Sequence, residues 1–237
     1  MSAEWLTGLL VLQDRDLKCE NFRKQLEAVP YEISKEEQAI AREREALEAA
    51  KRELKELVLQ REAAEGEIDS LEAAVVRYKT QQMQVKKNEE YTALQHEIDN
   101  HQAKVGEHED VVLGLMDAIE AKEAQNKALE SEGNERIQVM EAHIQRLRAS
   151  EDSYRKDLEE AEQALEQARA GIDEDVAKSY AFVKTQVKRG PYVVELEGGT
   201  RCSGCHLKVS GEVEATARRG KERVRCDNCG RMVFFIR

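Results

Sequence analysis

The chain has 237 residues, of which 36% are charged and only 5% aromatic, and it contains two prolines. That composition excludes one large globular core; rich in Ala, Glu, Lys, Leu and Arg at helical spacing, it indicates long helices or coiled coil rather than disorder. The net charge of −11 is unevenly placed, since residues 1–183 carry 25 basic and 42 acidic side chains and residues 184–237 carry 12 and 6, so only the C-terminal part attracts nucleic acid or anionic membrane.

At the N-terminus, "MSAEWLTGLLVLQDRD" lacks the basic flank and the small-residue cleavage site of a signal peptide. No apolar run approaches the ~20 residues that a membrane span requires. The expected location is the cytoplasm, with no membrane partner. Thiols stay reduced there, and clustered cysteines indicate metal more often than disulfide.

Stepping by seven from Trp5 gives Leu12, Cys19, Leu26, Ile33, Ile40, Leu47, Leu54, Arg61, Ile68, Val75 and Gln82. A companion set runs from Phe22 and Val29 through Glu36, Glu43, Ala50, Leu57, Ala64, Leu71 and Tyr78 to Val85. Together they form the apolar seam of a coiled coil. Glu36 and Glu43 are expected to weaken it locally. Leu6, Leu9, Leu10 and Leu17 widen the apolar face at its start, so that end is expected to touch more than one neighbour.

Through "QMQVKKNEEYTAL" (82–94) the rhythm loses its phase. Continuing the first seam would place Glu89 and Thr92 on the stripe, but the next seam starts two residues later with Tyr91, Leu94 and Ile98. Two residues rotate a helix by about 200°, which is neither a stutter nor a stammer. A turn resolves the mismatch, because the two seams then face each other. Asn88 is the expected N-cap of the second arm, with Glu89 and Glu90 at the positive end of its dipole. The second seam continues through His101, His108, Ile119, Lys122 and Asn126, and the seam histidines His101 and His108 are read as setting register. It passes a stutter around Gly133 and Asn134, then runs through Ile137, Ile144, Leu158 and Ala161 to Ile172.

Asp173 is placed to cap a third helix in "DEDVAKSYAFVKTQVKR", ending at Lys188 and Arg189 with Gly190 and Pro191 just beyond. "YVVELE" reads as a strand and Gly198-Gly199 as a turn. "CSGC" (202–205) and "CDNC" (226–229) make a C-x2-C-x20-C-x2-C pattern, the spacing of a four-cysteine zinc site. Cys202, Cys205, Cys226 and Cys229 fill a tetrahedron and leave no open position, so one structural Zn2+ is expected. Gly204 and Gly230 are expected to give the two knuckles backbone freedom. "ERVRC" and "RMVFFIR" read as antiparallel strands. His206 is not needed as a ligand, and Cys19 reads as an inert buried thiol.

The predicted fold is mainly α: an antiparallel coiled-coil hairpin over 1–172 with its tip near 83–88, a short bridging helix over 173–190, and a C4 zinc ribbon over 191–237. No phosphate-binding loop or H-E-x-x-H pattern is present, and no enzymatic activity or small-molecule substrate is expected. A surface built this way suits an adaptor that binds protein partners. Nucleic-acid binding is the alternative. "ARRGKERVR" (217–225) places Arg218, Arg219, Lys221, Arg223 and Arg225 on or near one turn, where they would contact phosphates, with Phe234 and Phe235 as stacking surfaces.

The tip "VKKNEEYTALQHEI", the helix segment "SYAFVK" and the ribbon segments "CSGCH" and "CDNCGRMVFF" together closely resemble the bacterial C4-type zinc-ribbon, coiled-coil proteins. That family has flagellar and chlamydial secretion-associated members, and the resemblance covers nearly the whole chain. It implies a non-enzymatic, chaperone-like adaptor with Cys202, Cys205, Cys226 and Cys229 as zinc ligands. It also implies a tip signature at Lys87, Asn88, Glu90 and Tyr91, beside Lys86, that meets a partner. The partners implied are the alternative sigma factor 54, a flagellar or type III secretion component, or RNA.

Overall fold

A computed structural model describes residues 4–236. Two long helices, α1 (Glu4–Gln82) and α2 (Asn88–Ala170), precede a short α3 (Glu174–Gln186). The C-terminal part follows as β1 (Val193–Glu197), β2 (Arg201–Cys202), α4 (Gly211–Arg219), β3 (Val224–Arg225) and β4 (Met232–Phe234). These elements form two compact units. One holds the residues up to Ile33 together with those from Gln145 onward, and the other holds Ser34–Ile144.

In the Ser34–Ile144 unit the two arms pack along the expected seam. Ile40, Ala50, Ala64 and Val75 of α1 and Ile98, Ile119, Ile137 and Ile144 of α2 are all buried. The chain reverses between Met83 and Lys87. The side-chain amide of Gln82 closes the turn by donating to Gln95 Oε1 at 3.0 Å and to the Tyr91 carbonyl at 3.4 Å. The first bond of α2 runs from the Tyr91 N–H to the Lys87 carbonyl at 3.2 Å. Lys87 therefore holds the capping position, and Asn88 is the first helical residue rather than the cap.

Glu36 and Glu43 do not leave gaps in the seam. Glu36 meets His143 Nδ1 at 3.1 Å, and Glu43 pairs with Arg136. Asn126 donates across the arms to the Ala50 carbonyl at 2.9 Å, and Lys122 pairs with Glu53. Gly133 at the stutter is buried, and a Cβ there would lie 3.1 Å from Leu47 Cδ2, so the arms approach closely because position 133 has no side chain.

In the other unit α1 stays helical through Pro30. Its first turns carry the wide apolar face anticipated from Leu6 and Leu9. Leu6, Leu9 and Leu12 bury against Val176, Tyr180 and Val183 of α3 and against Tyr192, Val193 and Met232. Burying each such side chain contributes about 1.5–3 kcal/mol. Asp173 caps α3 as expected, accepting from the Asp175 N–H at 2.8 Å. The helix ends earlier than its basic residues suggested. Val187 takes an extended conformation (φ −109°, ψ 117°) and turns its side chain into the same core. Gly190 is no helix cap. It lies where a Cβ would collide with Leu17, so the linker is held close to α1.

The strands form one sheet in the order β2-β1-β4-β3. β3 and β4 pair antiparallel as anticipated, and β1 joins β4 in parallel, Val193 opposite Met232. β2 was not anticipated; it pairs with the far end of β1, at Leu196 and Glu197, and Arg201 also bridges Lys208. The near end of β1 is completed by Gln13 instead. Its Oε1 accepts from the Tyr192 and Val193 N–H groups at 2.7 and 2.6 Å, and its Nε2 donates to the Val193 carbonyl at 2.9 Å.

One turn along α1, the buried Asp16 carboxylate accepts from Tyr180 Oη at 2.9 Å and pairs with Lys184 Nζ at 2.6 Å. Glu20 accepts from Tyr192 Oη at 2.7 Å and lies 3.0 Å from Lys184. Burial, and next the Asp16 charge, push the Tyr180 hydroxyl far above the ordinary tyrosine range; burial and the bond to Glu20 do the same to Tyr192. Burial lowers Lys184, but its bonds to Asp16 and Glu20 outweigh that and raise it.

All three groups are raised on folding. Their contributions are therefore complete below the ordinary values of 10.0 for tyrosine and 10.5 for lysine and are lost as pH climbs past them. Spectrophotometric titration should show the α3 and ribbon docking unaffected through neutrality, with Tyr180 and Tyr192 ionising only as it melts on the alkaline side. Lys184→Met leaves the buried Asp16 carboxylate without its cation. Because Lys184 is partly exposed, the expected loss is about 2 kcal/mol in denaturant unfolding, below the range for fully buried pairs.

Candidate metal centre

The two C-x2-C segments fold into matching knuckles. In the first, the Cys202 N–H bonds the Leu207 carbonyl at 3.0 Å and the His206 N–H bonds the Cys202 carbonyl at 2.7 Å. In the second, the Cys226 N–H bonds the Arg231 carbonyl at 2.8 Å and the Gly230 N–H bonds the Cys226 carbonyl at 2.9 Å. The residue after each second cysteine is left-handed: His206 at φ 61° and Gly230 at φ 74°. Gly230 thus meets the expectation of backbone freedom and Gly204 does not. Gly204 serves another purpose, since a Cβ there would displace the Arg231 side chain lying across it.

The four sulfurs lie within 4.8 Å of one another. Cys202 Sγ is 3.8 Å from Cys229 Sγ, and Cys205 Sγ is 3.9 Å from Cys226 Sγ. A tetrahedral zinc with Zn–S bonds of about 2.3 Å sets its sulfurs about 3.8 Å apart, so the donor set fits one Zn2+ with all four positions filled by protein. Burial pushes the Cys202 thiol up to about 12. At Cys229 burial acts the same way, but hydrogen bonds from the Arg231 backbone and side chain outweigh it and bring the thiol down to about 7. Asn228 Nδ2 braces the second knuckle by donating to the Lys208 carbonyl at 3.1 Å. Around the cysteines a small core gathers Val194, Leu196, Val209, Val213, Ala217 and Val233. Cys19 lies apart from the centre, fully buried in the coil, where burial raises its thiol.

Arg218, Arg219, Lys221, Arg223 and Arg225 do not share one turn. α4 intervenes, with Ser210 as N-cap accepting from the Val213 N–H at 3.4 Å and Gly220 as left-handed C-cap. Arg218 and Arg219 occupy its last turn, Lys221 and Arg223 follow in the exposed loop, and Arg225 lies on β3. Arg218 stacks on Phe235 at 4.7 Å and bonds Glu214 at 3.0 Å. Arg225 stacks on Phe182 at 4.8 Å. Phe234 and Phe235 are partly buried, Phe234 against the core that includes α3 and Phe235 against the ribbon core.

At the tip, Lys86, Lys87, Asn88, Glu90 and Tyr91 are all exposed. Lys87 and Glu90 pair at 3.4 Å, an exposed contact worth little in stability. Met83 was overlooked. It is 87% exposed, against 49% for Tyr91, and its signal was an apolar side chain off the seam between Gln82 and Val85.

Residues 201–233 match the C4-type zinc ribbon domain family. Two uncharacterised proteins, from the CDC 1551 / Oshkosh and H37Rv strains of Mycobacterium tuberculosis, are each 29% identical over 156 residues, 60% of this chain. The match spans 58% of their length. Among solved structures, CT398 from Chlamydia trachomatis superposes with a TM-score of 0.82 at 21% identity, covering 98% of each chain. A Mycobacterium smegmatis protein gives 0.65 at 20% identity over all of both chains. The HP0958 protein from Helicobacter pylori gives 0.55 at 14% identity, covering 99% of this chain and 98% of its own. At these identities the likeness concerns the fold.

Ligand thiols must shed their protons to bind metal. Bound zinc, measured by metal analysis after equilibration, should hold at neutral pH and fall away on acidification. Cys202→Ser or Cys226→Ser should abolish one-to-one zinc binding and unfold the ribbon while far-ultraviolet helicity persists. Full zinc stoichiometry in either variant would contradict the four-cysteine site.

Proposed function

We propose that this chain is a non-enzymatic cytoplasmic adaptor that binds a protein partner through the hairpin tip, with the zinc-stapled ribbon as a second contact surface. The observation that carries this reading is the tip itself. Met83 and Tyr91 are exposed apolar groups at the turn, Tyr91 lying out of the seam its spacing predicted. Met and Tyr are among the side chains enriched in protein interfaces, and the exposed Lys86 and Lys87 give this patch a charged rim. No helix among the described residues is long and apolar enough to cross a membrane. By resemblance, the partner is the alternative sigma factor 54 or a flagellar or type III secretion component.

The second reading is binding of RNA or DNA by the ribbon, supported by the exposure of Arg219, Lys221 and Arg223. Against it, Arg218 and Arg225 are already stacked on the protein's own aromatic rings.

A pull-down from native cytosol separates the two. The intact protein is compared with a tip variant (Lys87→Ala, Asn88→Ala, Tyr91→Ala) and a head variant (Cys202→Ser, Cys205→Ser). A protein partner lost with the tip variant alone supports the adaptor. Nucleic acid lost with the head variant, and released steeply by salt, supports the alternative. Identical capture by all three overturns both.

A further inference from the structure

We infer that Arg231 is a positioning residue that couples metal retention in the ribbon to the seating of the ribbon on α1. Leu207 and Arg231 hold equivalent backbone places, each closing its own knuckle through its carbonyl. Their side chains differ sharply. Leu207 is 54% exposed, whereas Arg231 folds back across Gly204 of the opposite knuckle. Its Nε then donates to the Pro191 carbonyl at 2.8 Å and its Nη2 to the Arg189 carbonyl at 3.1 Å. One residue thus contacts both cysteine loops and the linker between α3 and β1.

The linker leads directly to α1. Tyr192 and Val193, next after Pro191, are the residues that Gln13 binds. The Met232 N–H, next after Arg231, bonds the Tyr192 carbonyl at 2.9 Å. Closing the knuckles on a metal fixes the Arg231 backbone and the Gly204 floor beneath its side chain. The guanidinium fork then holds two linker carbonyls with charge-assisted bonds, which are about twice as strong as neutral ones. Without metal the knuckles loosen and both carbonyls lose their donor. Coupling of this kind is reciprocal, so disturbing the Gln13 end must weaken metal binding at a site Gln13 never touches.

The test uses the full chain and two readouts: zinc affinity by equilibrium competition with a chromophoric chelator, and amide exchange at residues 189–193. Arg231→Met should still bind zinc but at least about 5-fold more weakly, the lower end of typical coupling, with faster exchange in the linker. Gly204→Ala, which expels the same side chain without removing its charge, should reproduce both effects. Arg231→Lys keeps a donor but not the planar fork and should recover only part. Gln13→Leu alters neither a cysteine nor Arg231, unpairs only the Tyr192 and Val193 backbone at the start of β1, and should also lower zinc affinity. If Gln13→Leu frees the linker in exchange yet binds zinc as tightly as the unaltered protein, the coupling does not exist. Should Arg231→Met fail to fold its ribbon, the Gln13→Leu result decides alone.

Discussion

The carboxamide of Gln13 takes the place of a neighbouring strand. β2 pairs with β1 at Leu196 and Glu197, so without Gln13 the Tyr192 N–H and the Val193 N–H and carbonyl would face an apolar core unpaired. Such groups cost about 1–3 kcal/mol each when left unmet. Leu9, Gln13, Asp16 and Glu20 follow one another at helical spacing along one side of α1, and their partners change from α3 and ribbon side chains to strand backbone to Tyr180, Lys184 and Tyr192. A single helix face therefore supplies apolar contact, strand-like pairing and charge in succession. This gives the docking direction as well as stability, since a rotation of α1 by one residue would break all three.

The ribbon needs such help because its own core is small. The metal supplies what some forty residues cannot obtain by burial alone, and the two knuckles are built alike around it. Where they differ, the difference serves attachment. Gly230 answers a backbone need, while Gly204 answers a steric one set by Arg231. Arg218 and Arg225, though exposed, lie over the rings of Phe235 and Phe182.

Periodicity made the long helices legible. The buried positions Leu12, Cys19, Val29, Ile40 and Val75 fall on the heptad set, and the two-residue phase error located the turn at Met83–Lys87. The cysteine spacing likewise pointed to the metal centre. Long-range polar pairing was not legible. Gln13 and Asp16 look like solvent residues in their own segment because their partners lie 164 to 180 positions away. Glu36 and Glu43 resembled flaws in the seam until His143 and Arg136 came opposite them. α4 was legible but overlooked: Ser210, Val213, Ala217 and Gly220 form a cap, an i,i+4 apolar pair and a stop, yet the cluster of arginines drew a turn instead.

Because Leu6, Leu9 and Gln13 bury against residues beyond 175, this unit cannot close until nearly the whole chain has been synthesised. At 5–20 residues per second, the apolar start of α1 waits roughly 10–35 s for its partners. Zipping α2 onto α1 first shortens the loop that must then be closed. Pairing of the two arms thus brings segments more than a hundred residues apart, one before Ile33 and one after Gln145, into the unit they form together.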